Sequence, residues 1–172
     1  IPKMIRKFRV TTDSRKTIAA PNLLEQNFDV KEADTSWSSD ITAIPTREGW
    51  LYLCAILDLF SRAVVGWSMS ERMKGDLVSD ALEMALLRRD PKAGMLLHSD
   101  QGSQYTSETY QQILKKHGIV CSMSRKGCCW DNAVSESFFH SLKTERTHHE
   151  SYRTRAQAQL RVFDYIEVFY NR

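Results

Sequence analysis

The sequence predicts an α/β domain built on a mixed five-stranded sheet, three antiparallel strands followed by two parallel ones, with helices on both faces. Three observations predict it. Three apolar stretches between Trp37 and Met69 are joined by turns too short for a parallel crossover, so they form an antiparallel meander. From Lys74 onward helix-like and strand-like stretches alternate, which makes the later strands parallel through right-handed crossovers. A chain of 172 residues with 42% hydrophobic content suits one compact core plus an arm.

Residues 1–33 read as a basic arm and linker, with Ala20-Pro21-Asn22 breaking any helix. Residues 34–148 read as the core, and 149–172 as its C-terminal helix. The first strand is Trp37 to Ile44, ended by Pro45 and a turn through Arg47-Glu48-Gly49. Trp50 to Asp58 is nearly continuously apolar, as a strand buried on both faces must be. Ser61-Arg62 turns the chain into a third strand, Ala63 to Met69. A helix spans about Lys74 to Arg89, its buried side marked by Leu77, Ala81, Met84 and Ala85, with Leu87 at the margin, and Asp90-Pro91 stops it. Met95 to Asp100 is a short strand ending on an acid. Ser107-Glu108 opens a helix to Lys116, closed by Gly118, and Ile119 to Ser124 is the fifth strand. A last helix runs from about Thr154 to Tyr170, with Leu160, Phe163, Ile166, Val168 and Phe169 apolar.

Composition excludes several classes. No apolar run reaches the ~18 residues a membrane-spanning helix needs. The first ten residues mix Lys and Arg with isolated apolar residues and form no secretory signal. The four cysteines, Cys54, Cys121, Cys128 and Cys129, form no C-x-x-C pair, so reduced thiols are expected; the spacing of Cys128 and Cys129 with His148 and His149 does not suit the usual zinc modules. Net charge is +3, but Lys3, Arg6, Lys7, Arg9, Arg15 and Lys16 against Asp13 give the first sixteen residues +5 and leave −2 for the rest. A basic arm on a slightly acidic domain suits a polyanionic partner.

The most informative stretch is Cys129 to Lys143. It reads as a helix starting near Asp131, with Asp131 and Asn132 as cap residues and Val134, Phe138 and Leu142 as a core stripe. Glu136 falls on the opposite face, with Lys143 almost in line two turns on. Two further acids stand out. Asp40 lies mid-strand, where Asp is disfavoured. Asp100 lies at the C-terminal end of a strand, where sites on open sheets gather. With the first and fourth strands as neighbours, Asp40 and Asp100 lie side by side and the helix brings Glu136 over them. Carboxylates about 4 Å apart repel by roughly 4 kcal/mol per pair at an effective dielectric of 20. A divalent cation offsets this, and all-oxygen ligation suits Mg²⁺ or Mn²⁺. Two such ions serve phosphodiester chemistry. Lys143, on the Glu136 face, is expected to meet DNA phosphate.

Thirty-five residues intervene between Asp100 and Glu136. That spacing resembles the D…D-x35-E triad of retroviral integrases and insertion-sequence transposases. Six words in order sharpen the likeness: Asp40-Ile41-Thr42; Gly49-Trp50-Leu51-Tyr52-Leu53; Asp58-Leu59-Phe60-Ser61-Arg62; His98-Ser99-Asp100-Gln101-Gly102-Ser103-Gln104-Tyr105; Ser122-Met123-Ser124-Arg125-Lys126-Gly127; and Asp131-Asn132-Ala133. Over about residues 15–172 they resemble the OrfB-type transposases of bacterial insertion sequences. The resemblance implies a ribonuclease-H-like core that cleaves and transfers DNA strands with Mg²⁺ or Mn²⁺. It implies Asp40, Asp100 and Glu136 as metal ligands holding two ions. Lys143 would touch element-end DNA; His98, Gln104 and Tyr105 would line the site, Gln104 and Tyr105 also meeting DNA; and Arg125 and Lys126 form a basic loop expected to meet DNA. The implied partners are double-stranded DNA, as element ends and target, and further copies of the chain, in the bacterial cytoplasm.

Ala43 departs from the aromatic, and Cys128 from the Asn, common in that family; neither removes a ligand. Family members also carry an upstream helix-turn-helix region and a basic tail beyond Asn171-Arg172. Together with the missing initial Met, this leads to the expectation of an isolated catalytic piece that discriminates poorly between sequences and depends on the missing region or a companion protein. Two alternatives stand beside this reading. A ribonuclease-H-type nuclease would usually carry a fourth acid and lack the basic arm and the Asp131-Asn132 word. A non-catalytic DNA-binding module from a domesticated element would have lost one of the acids.

Overall fold

The computed structural model describes residues 20–25, 27, 29–125 and 132–172. Its element order is β1 (Ser36–Thr46), β2 (Gly49–Asp58), β3 (Val64–Ser70), α1 (Gly75–Arg89), β4 (Leu96–Ser99), α2 (Glu108–Lys116), β5 (Val120–Met123), α3 (Ala133–Leu142) and α4 (Arg155–Phe163). Short π-helical segments, Lys143–Thr147 and Asp164–Tyr170, extend α3 and α4. One five-stranded sheet has the order β3-β2-β1-β4-β5. β1 pairs antiparallel with β2 and β2 with β3, whereas β4 pairs parallel with β1 and β5 parallel with β4. The predicted mixed sheet is therefore the observed one.

Strand alternation sends successive side chains to opposite faces and gives the sheet two cores. Trp37, Cys54, Ile56, Val65 and Leu97 face one core with Leu77, Ala81, Leu82 and Ala85 of α1 and with Tyr110 and Leu114 of α2. Ile44, Leu51, Leu53, Ala55 and Leu57 face the other, with Phe138, Phe139 and Leu142 of α3 and Ala158, Val162, Tyr165 and Ile166 from the C-terminal helix. A register shift between Ile56 and Leu57 lets Val64 and Trp67, of opposite parity on β3, serve the second core together. Gly66 is required where β3 meets α1: a Cβ there would come within 2.3 Å of the Ala81 carbonyl oxygen.

Several boundaries differ from the sequence reading. β1 continues through Pro45, because β4 pairs with β1 only from Ser36 to Ser38 and the missing N–H costs little where one ladder suffices. Leu87 is 89% exposed, lying off the α1 stripe that Leu82 and Leu86 complete. On the last helix Leu160, Phe163, Val168 and Phe169 are exposed, and Ala158, Val162, Tyr165 and Ile166 do the packing. Within the expected arm, the Leu23 and Leu24 N–H groups donate to Ser122 Oγ and Pro21 accepts from Met123 N–H, so this part lies along β5. The expected loop residues 126–130 and the cap residue Asp131 lie outside the described residues.

Candidate active site

Asp40 is held by the central strand of the sheet. It shares a face of β1 with Ser38 and with Ile44, the face that α3 covers. Its own Oδ1 accepts from the Ile41 N–H at 2.8 Å. The parallel register aligns Ser36 with Leu96 and Ser38 with His98. Carried two residues further, it sets Asp40 beside Asp100, the first residue past β4. Asp100 Oδ1 accepts from the Gly102 N–H at 2.8 Å. Gly102 leaves room for that turn, since a Cβ there would lie 2.8 Å from Asp100 Oδ1 and 2.7 Å from Gln104 Oε1.

Glu136 projects from the first turn of α3 and is exposed. Its charge and that of Asp100 both reach Asp40. Burial first, then these two negative charges, push the Asp40 carboxyl up to about 7, opposed by the Ile41 N–H and the Lys143 ammonium. Burial likewise raises Asp100, against the Gly102 N–H. A carboxyl that resists ionisation in this way is one whose charged form wants a cation. Among the described residues no group of three His, Cys, Asp or Glu side chains stands close enough to hold one ion.

Behind β1 a polar cluster backs the pair. Ser39 Oγ lies 3.0 Å from Tyr105 OH and 3.6 Å from Cys54 Sγ, and the Tyr105 ring stands edge-on to Tyr110. Burial pushes the Cys54 thiol up to about 12, so it stays protonated. Tyr105 is only 1% exposed, which corrects its expected contact with DNA: its hydroxyl braces the strand instead. Gln104 is corrected likewise; it is buried and donates through Nε2 to the Met73 carbonyl. His98 is buried, with Nδ1 2.9 Å from Ser122 Oγ. Arg125 is exposed, and Lys126 lies outside the described residues. Lys143 is half-buried at the start of the π-helical turn, near enough to act on Asp40.

On the α3 side, Ser38 Oγ donates to Asn132 Oδ1 at 2.5 Å and lies 2.8 Å from Ser135 Oγ, all three residues buried. Asn132 occupies the N-cap of α3, yet its side chain makes no cap hydrogen bond. Sequence reasoning had Asn132 as a cap and gave Ser38, Ser39 and Ser135 no role. The available signal was two serines inside a central strand directly before Asp40, where apolar residues would pack better.

A concavity of about 440 Å³ lies away from these acids, at the opposite end of β1 and β4, lined by residues including Asp34, Thr35, Arg89 and Met95. Arg89 there is committed to structure, pairing with Asp34 at 2.9 Å.

The integrase core domain signature matches residues 30–129, and a second integrase core domain signature matches residues 136–172. Transposase InsF for insertion sequence IS3A of Escherichia coli (strain K12) is 50% identical over 171 residues, which is 99% of this chain and 59% of InsF. The transposase for insertion sequence element IS904 of Lactococcus lactis subsp. lactis (strain IL1403) is 46% identical over 155 residues, 90% of this chain and 61% of that protein. The chain thus spans about three-fifths of these relatives. Among solved structures, a chain of the simian T-cell lymphotropic virus intasome in complex with PP2A regulatory subunit B56 gamma aligns with a TM-score of 0.67 at 17% identity, covering 95% of this chain and 56% of that one. The catalytic core domain of BIV integrase aligns at 0.57 and 16% identity, covering 76% and 82%. The HTLV-2 integrase catalytic core domain in complex with magnesium aligns at 0.53 and 19%, covering 65% and 69%. At such identities the likeness is one of fold, the ribonuclease-H-like fold of integrase cores.

Proposed function

Because the chain belongs to the integrase core domain family, we propose that it is the catalytic core of a bacterial insertion-sequence transposase, cleaving and joining DNA strands at element ends. One observation carries the reading. The β1–β4 register carries Asp40 beside Asp100, and the charges of Asp100 and Glu136 both help raise the buried Asp40 carboxyl to about 7, which supports a role for these three acids together.

The donor set fits a hard divalent cation, because every candidate ligand is a carboxylate oxygen. Asp40, Asp100 and Glu136 would hold Mg²⁺ or Mn²⁺, two ions in the active complex. When bound, such ions polarise the scissile phosphodiester and lower the pKa of the attacking water or hydroxyl. The chain's own residues then position and neutralise. β1 fixes Asp40, the Gly102 turn aims Asp100, and α3 presents Glu136. Lys143 offsets negative charge beside Asp40 and is suited to a DNA phosphate, as are Arg125 and Lys126. Double-stranded DNA, further copies of the chain and a helix-turn-helix region or companion protein complete the expected assembly, acting in the cytoplasm. Residues 1–33 serve as basic arm and linker, 34–148 as the catalytic core and 149–172 as its C-terminal helix. No helix among the described residues is long and apolar enough to cross a membrane.

The test is nicking and end joining of double-stranded element-end DNA with Mg²⁺ or Mn²⁺ by the wild type and by Glu136→Gln. Metal-dependent products lost in the variant are expected. Cleavage confined to RNA–DNA hybrids would replace the proposal with a ribonuclease-H-type activity. Products of equal yield from Glu136→Gln would overturn the assignment of Glu136.

A further inference from the structure

Resting on that reading, we infer that Ser38, Asn132 and Ser135 form a buried latch that sets the axial position and rotation of α3, and so make Asn132 and Ser135 positioning residues for Glu136.

The latch joins distant parts of the chain. Ser38 is 94 residues from Asn132 and 97 from Ser135, and its hydroxyl meets both side chains, at 2.5 and 2.8 Å. Ser38 and Ser135 are fully buried, in an environment where a polar side chain is justified only by a partner. The arrangement also gives something up. Asn132 sits at the N-cap, where its amide oxygen would ordinarily accept from a first-turn N–H and stabilise the helix. Here that oxygen faces β1 instead.

Spacing explains what the latch secures. Ser38 and Asp40 are two residues apart on one strand face, about 6.7 Å. Asn132 and Glu136 are one helical turn apart, about 6 Å. Pinning Asn132 and Ser135 to Ser38 therefore holds the turn that carries Glu136 within one residue of a pinned side chain and two strand positions from Asp40, in keeping with the Glu136 charge felt there. Ser135 adds a second point of contact. One hydrogen bond leaves a helix free to pivot about it; two on neighbouring turns fix rotation as well. Phe138, Phe139 and Leu142 hold α3 against the sheet, but apolar packing is non-directional and tolerates small rotations. Hydrogen bonds do not.

The experiment measures Mn²⁺ binding by titration calorimetry, without DNA, for wild type, Asn132→Ala, Ser135→Ala, Glu136→Gln and the double variant Asn132→Ala/Glu136→Gln. Circular dichroism reports folding of each. Asn132→Ala and Ser135→Ala are expected to bind Mn²⁺ about 10-fold or more weaker, as loss of a group orienting a ligand does. In the Glu136→Gln background, Asn132→Ala should cost nothing further, since it acts through Glu136. Nicking by Asn132→Ala should recover at saturating Mn²⁺, whereas Glu136→Gln should not recover. Unchanged Mn²⁺ affinity in both single latch variants, or a full additional loss in the double variant, overturns the latch. If Asn132→Ala fails to fold, the Ser135→Ala titration decides the matter. Wild type that binds no Mn²⁺, or Glu136→Gln that binds as tightly as wild type, refutes the metal-site reading itself and the latch with it.

Discussion

Replacing Asp40 with Asn should make the metal-free protein more stable at neutral pH while removing its chemistry. The folded state holds the Asp40 carboxyl at about 7 against an ordinary 3.8. A raised carboxyl means that the fold prefers the protonated form. Its contribution to stability is complete below pH 3.8, drains as pH rises towards 7 and is level above that. At 1.36 kcal/mol per tenfold change, the full separation is worth about 4 kcal/mol. Between pH 4.5 and pH 8 about 3 kcal/mol of it is lost, and solvent at the rim of the half-buried site screens this to about 2. Asn carries no such dependence. The unfolding free energy of Asp40→Asn relative to wild type should therefore grow by about 2–3 kcal/mol from pH 4.5 to pH 8, roughly 5–10 °C in melting temperature. Urea unfolding followed by circular dichroism in EDTA at both pH values measures it. Added Mg²⁺ at pH 8 should then stabilise the wild type and not the variant. A stability difference that stays flat across that range would refute the reasoning, because Asp40 would then ionise in the fold as freely as in the unfolded chain.

The other predictions concern the surroundings of the acids. Gly66→Ala drives a methyl into the Ala81 carbonyl and should cost about 1–3 kcal/mol, read as a lower urea midpoint with an unchanged slope. Tyr105→Phe leaves Ser39 Oγ with the Cys54 thiol as its remaining named partner and should cost about 1–2 kcal/mol in the same assay; an unchanged midpoint would mean the hydroxyl does not brace β1. Gly102→Ala places a Cβ 2.8 Å from Asp100 Oδ1, so the carboxylate must turn away. It should lower Mn²⁺ affinity about 10-fold or more with little change in melting temperature; wild-type affinity by calorimetry would count against the aim given to that turn.

Much of this was legible before any coordinates. The antiparallel meander followed from short turns, and the parallel half from alternation with helices, because both depend on local pattern and chain connectivity. Asp40 and Asp100 could be read as neighbours because strand position and order determine adjacency. What failed depended on tertiary company. Leu160, Phe163, Val168 and Phe169 are as apolar as the residues that pack, but a helix is buried on the side its neighbours choose, and Tyr165 and Ala158 took that place. Tyr105 reads as a site residue by its neighbourhood in sequence, yet the turn after Asp100 sends its ring to the opposite face of the sheet. Asn132 is a good cap by type; only the approach of Ser38 from the far end of the chain redirects it.

β1 runs on to Thr46, whereas β4 stops pairing with it at Ser38. Asp40 therefore stands two residues beyond the last β1–β4 pair, on the stretch of the central strand whose ladder is made by β2 alone. That ladder fixes its position, while Asp100 and Glu136 come from the segments that follow β4 and β5, so changes in those segments can shift two of the acids and leave the third where it is.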